Sequence, residues 1–236
     1  MAEAAREAIL ARLKDGLRSS PPFSSPRSLP ASYLPVTSPQ GDREAWLHRF
    51  GAVMERLGGE WAYADSIAGA RLQLLARFQE AQVRRVVAWD PESWPLPGLY
   101  EGLTALGVEV FVPDLRHGDR AEMLRQIEGV DWGITGAMAA LASTGTLVLT
   151  SGRGLSRVAS LMPPWHLALV PMSRLYPNLE AWLADVRRYG ETEALFSRAS
   201  QIMLISGPSR TADIEMSLTL GVHGPRYLFV MFFEER

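Results

Sequence analysis

Residues 201–232 read QIMLISGPSRTADIEMSLTLGVHGPRYLFVMF. Two apolar runs bracket the stretch, Ile202-Met203-Leu204-Ile205 and Arg226-Tyr227-Leu228-Phe229-Val230-Met231-Phe232, and both have the length and side chains of buried strands. Between them, Ser206-Gly207-Pro208-Ser209-Arg210 has the small and chain-breaking residues of a loop. Thr211 is a suitable N-cap for a helix over 211–220, with Asp213 and Glu215 in its first turn, Ile214 and Leu218 on one face, and Gly221 as its stop. The expected unit is strand–loop–helix–strand, and such units build parallel sheets.

The same alternation extends outward. Strand-like runs occur at 85–89, 108–112, 132–135, 146–150 and 166–170. Helical spacing covers 98–106, 119–127 and 177–189, and upstream 42–57, where Gly58-Gly59 is the stop, and 66–82. Short apolar strands alternating with helices predict an α/β fold: a mainly parallel sheet flanked by helices. Residues 3–17 form an amphipathic pattern with Ile9, Leu10, Leu13 and Leu17, and 19–41 are rich in proline and serine. The expected division is an N-terminal helical arm and linker over 1–41 and one α/β domain over 42–236. The arm would pack on its own domain, on a second copy in a homo-oligomer, or on a partner.

Composition excludes several classes. Of the 236 residues 47% are hydrophobic, enough for a sizeable core. The formal net charge is -2 and the basic residues are scattered, which argues against nucleic-acid binding. No apolar run approaches a membrane span, and MAEAAREAILARLKDGL lacks the apolar core of a signal peptide, so a cytoplasmic location is expected. There is no cysteine, hence no disulfide, thiolate nucleophile or iron–sulfur ligation by this chain. The four histidines, His48, His117, His166 and His223, lack metal-ligand spacing. No dinucleotide fingerprint is present, so no cofactor is assigned to this chain.

In parallel sheets ligands collect at the carboxyl ends of strands, which directs attention to the loops. Candidate anion contacts are Ser206, Gly207 and Ser209, through the backbone N–H groups of a helix start, together with Arg210, whose guanidinium suits a carboxylate or phosphate. His223 lies in the glycine–proline loop that feeds the last strand and is an acid/base or ligand candidate. Thr144, Gly145 and Thr146 offer hydroxyls and close backbone approach before a second buried strand. Arg153 and Arg157, in the loop after that strand, are either solvated or within reach of an anion. His166 opens an apolar strand and reads first as a structural histidine.

The segments GITGAMAALASTGTLVL, LMPPWHLALVP and ISGPSRTADIEMSLTLGVHGPR together resemble the LUD-domain family, in its lactate-utilization branch. The resemblance implies a fold like that of the ribose-5-phosphate isomerase, glucosamine-phosphate deaminase and CoA-transferase superfamily. It implies a cluster-free subunit that works beside iron–sulfur proteins in oxidising L-lactate to pyruvate, with a pocket for a small anionic metabolite. No activity of the isolated chain follows from it. The alternative it leaves is a stand-alone enzyme acting on a phosphorylated or carboxylated metabolite. Ser143 and Met138 stand where family members commonly carry acidic residues, and the missing carboxylate weakens an acyl-transfer chemistry.

Overall fold

A computed structural model describes residues 2–19, 41–113, 120–190, 195, 197, 199–212 and 218–236. The chain divides into two units, Met1–Thr37 and Ser38–Arg236. In the first, helix α1 (Ala2–Ser19) leaves Ile9, Leu10 and Leu13 exposed. The proline-rich linker falls outside the described residues over 20–40.

The second unit holds helices α2 (Arg43–Arg56), α3 (Ile67–Glu80), α4 (Leu99–Ala105), α5 (Arg120–Ile127), α6 (Val158–Leu161) and α7 (Leu179–Arg188). Three of their starts are fixed by side-chain caps. Asp42 accepts from the Ala45 N–H at 3.0 Å, Ser66 from Gly69 at 3.2 Å, and Asn178 from Ala181 at 2.9 Å. All the helices expected before residue 190 are present; α6 adds a single short turn of helix that periodicity cannot flag.

The main sheet is six-stranded and parallel throughout. Its strands are β1 (Glu60–Ala64), β2 (Arg85–Ala88), β3 (Glu109–Phe111), β4 (Trp132–Gly136), β7 (Trp165–Pro171) and β12 (Tyr227–Phe233), in the order β1-β12-β7-β4-β2-β3. All of β4 is buried, as is all but the first residue of β7 and of β12, so both faces are covered. One face carries Trp132, Trp165 and Tyr227, stacked in adjacent register with ring centroids 4.7 and 4.4 Å apart. Helix α3 lies here: Arg77 sits 4.2 Å over the Phe229 ring, and Phe78 packs on Trp132. The other face carries Gly133, His166 and Phe232. Helix α2 covers it through Phe50, edge-on to Phe232 at 4.9 Å. Helix α6 crosses Gly133 so closely that a Cβ there would lie 1.7 Å from the Ala159 carbonyl oxygen. Only glycine admits this approach.

A second sheet corrects part of the expected topology. It contains β5 (Ala139–Leu141), β6 (Thr146–Ser151), β8 (Leu175–Tyr176) and β9 (Gln201–Ser206), in the order β8-β5-β6-β9, with β6 antiparallel to both neighbours. The runs at 146–150 and 202–205 are therefore strands, but not of the parallel sheet. Nor is β9 a buried strand: it is an edge strand with Leu204 exposed. The described ends of the helix expected over 211–220 are also strands instead. Strands β10 (Arg210–Ala212) and β11 (Leu218–Leu220) pair antiparallel, with Arg210 opposite Leu220 and Thr211 opposite Thr219. The β-branched threonines suit paired strands, and tertiary pairing overrides a weak helical period. Asp213 and Glu215 lie outside the described residues.

Candidate functional site

The loop after β9 meets the loop before β12 through two backbone bonds. Ser209 N–H donates to the Pro225 carbonyl at 2.8 Å, and Gly221 N–H donates to the Ser209 carbonyl at 3.0 Å. Gly207 has φ of 87°, a conformation that favours glycine, and turns the chain against Leu57. Together the loops roof a cavity of about 260 Å³. Ser206, Gly207 and Ser209 form one wall with His223, while Ser160 from α6 and His166 from β7 form the floor.

His166 and Leu228 are the second residues of their strands and lie in register. The cavity therefore sits over the amino ends of β7 and β12, not at the carboxyl edge. The expected helix start is also missing, and the Ser209 N–H is already bonded to the Pro225 carbonyl. The side-chain donors lining the cavity are hydroxyls and imidazoles. His166 is 1% exposed, with Nε2 2.8 Å from Thr135 Oγ1. Burial lowers its pKa from 6.5 to about 3, so the ring is neutral at neutral pH. Ser160 Oγ donates to the Arg157 carbonyl at 3.1 Å, which leaves its oxygen as an acceptor. Such a chamber can hold a small polar molecule by neutral hydrogen bonds. Among the described residues no cluster of three or more metal-ligating side chains occurs.

The remaining sequence candidates gather elsewhere. Thr144 Oγ1 lies 2.7 Å from Thr146 Oγ1, which lies 2.7 Å from Ser206 Oγ. This row of hydroxyls runs from the start of β6 to the end of β9 and reaches the cavity only at Ser206. Gly145 packs against Val53 and Met54 of α2. Arg210 turns away from the cavity and donates through Nη2 to the Leu57 carbonyl, placing a cation at the C-terminus of α2. Arg157 donates to the Gln201 side chain at 2.8 Å, and Arg153 lines a different, larger cavity. Sequence reasoning missed Ser160 and Thr135 and gave His166 no role in the site. A buried polar residue opening an otherwise apolar run was the available signal.

Comparison with known proteins places this architecture. A duf162 family protein from Deinococcus radiodurans, known from its crystal structure, has the same fold, with a TM-score of 0.55 at 20% identity over 82% of this chain and 99% of that one. Lactate utilization protein C of Halalkalibacterium halodurans is 37% identical over 159 residues, which are 67% of this chain and 66% of that protein. Lactate utilization protein C of Bacillus subtilis is 34% identical over 149 residues, 63% of this chain and 55% of that one. The matched segments thus span less than two thirds of each relative's own length. The LUD domain itself matches residues 47–233, from α2 through both sheets to the last residue of β12, and the chain accordingly belongs to the LUD-domain family.

Proposed function

We propose that this chain is the cluster-free subunit of a lactate utilization system that oxidises L-lactate to pyruvate, and that the cavity at Ser206 and His223 takes a small organic anion. The match of residues 47–233 to the LUD domain, together with relatives named for lactate utilization, carries the proposal. The sequence contains no cysteine, so it has no thiolates to hold a cluster, and electron transfer falls to iron–sulfur partner proteins. A cytoplasmic location belongs to the same proposal; no helix among the described residues is long and apolar enough to cross a membrane. The cavity volume suits a molecule of a few carbons, and its hydroxyls and neutral imidazole suit a carboxylate beside a hydroxyl or carbonyl.

Deleting the reading frame in its native host and supplying L-lactate as the only carbon source tests the role. Loss of growth is expected, restored by the wild-type chain and restored poorly by a His223→Ala, Ser206→Ala double variant that still accumulates. Normal growth of the deletion strain would refute the role. Full rescue by the double variant would refute the site.

A further inference from the structure

A second and larger cavity, of about 700 Å³, lies on the other side of the molecule's sheet geometry, where β4 and β7 end rather than begin. Met138 follows β4 by two residues, and Arg174 follows β7 by three; both line the cavity, as do the last residues of β6. Outside the carboxyl ends of the strands is where open parallel sheets present their ligand crevices.

We propose that this cavity is a separate binding site for an organic anion with an aromatic or extended apolar body. Arg174 is half-buried and donates through Nη1 to the Ala137 carbonyl at 2.6 Å. That bond ties the turn after β7 to the turn after β4 and fixes the guanidinium plane in the wall. Arg153 adds a second cation from the loop after β6. The opposing charge among the described residues is Asp185 of α7, whose carboxylate accepts from the Tyr176 hydroxyl of β8 at 2.8 Å. Among the described lining residues, two guanidinium groups stand against one carboxylate, an excess of positive charge. Beside the hydroxyls of Thr150, Ser151 and two tyrosines the walls are apolar and aromatic: Trp182 is a buried ring in the lining, and Met138 gives it an adaptable edge. A volume of this size is typical of sites for drug-sized molecules and far exceeds a three-carbon acid. The site therefore serves a different ligand from the one proposed for the smaller cavity.

The test uses the full chain and two fluorescent probes, anilinonaphthalene sulfonate, which carries an anionic group, and N-phenylnaphthylamine, which is neutral. The wild type is expected to bind both saturably. Arg153→Glu, at an exposed loop position, should weaken the sulfonate about tenfold or more while leaving the neutral probe unchanged, a loss of about 1.4 kcal/mol. Met138→Trp should fill the edge and weaken both probes. Absence of saturable sulfonate binding to the wild type would overturn the proposal, and so would equal sulfonate affinity in the wild type and Arg153→Glu.

Discussion

Every residue of β4 is buried, whereas every residue of β9 is exposed or half-buried. The two strands come from similar-looking apolar runs, yet one lies inside a parallel sheet and the other at the edge of a mixed one. The parallel sheet is supported on both faces by helices and contributes most of the core. The mixed sheet carries the hydroxyl row and ends in the cavity loops. An apolar run thus gives the strand but not its sheet, and here the less buried sheet bears more of the candidate chemistry.

The contrast predicts a graded set of stabilities, measured by denaturant unfolding. Phe232→Ala in β12 removes a fully buried ring and its edge contact with Phe50, and should cost about 4 kcal/mol. Gly133→Ala should cost about 3 kcal/mol, because the new methyl meets backbone of α6 rather than a movable side chain. A cost below that of an ordinary surface change would mean that α6 is loosely held.

Acid sharpens the same comparison. The folded-state pKa of His166 is depressed from 6.5 to about 3 by burial. Between those values the unfolded chain binds a proton that the native chain does not. Its contribution is therefore complete above pH 6.5 and is lost on acidification, by about 1.4 kcal/mol per pH unit. His166→Gln, neutral at every pH, should flatten that limb of the stability profile, and an unchanged slope would rule out His166 as its source.

Smaller effects belong to the mixed sheet and its loops. Arg210→Ala leaves a helix-end carbonyl without its guanidinium and should cost about 1 kcal/mol. Leu204→Ala in β9 should cost under about 1 kcal/mol, because the side chain is 54% exposed. If Leu204→Ala rivalled Phe232→Ala, β9 would be covered by something beyond this chain.

All seven apolar runs became strands because continuous Val, Ile, Leu and Phe leave little else to form. Strand β1, EWAYA, was not legible: it is short, only partly buried and chemically mixed. Strand β5, AAL, has residues equally at home in a helix. Ile214 and Leu218 imitated a helical period, but Thr211 pairs with Thr219 across two antiparallel strands instead. The site was half legible for a similar reason. Ser206, Gly207, Ser209 and His223 lie within one loop–hairpin–loop segment, so the sequence itself groups them. His166 and Ser160 join them only because β7 lies beside β12 and α6 crosses beneath, which no local pattern encodes. Arg210 carried the right chemistry for an anion but is drawn to the end of α2.

The position of β12 has a consequence for how the protein is made. It follows every other described strand in the chain, yet it lies between β1 and β7 and pairs with both, Glu60 opposite Phe229 and Trp165 opposite Tyr227. Until it is synthesised, β1 has no partner in the sheet and β7 presents a bare edge. The nascent chain therefore leaves β1 unpaired from its own synthesis until that of β12, and adds the bare edge of β7 once Pro171 is made. Closing the sheet is a late, long-range step that is slow by topology and exposed to aggregation while it waits.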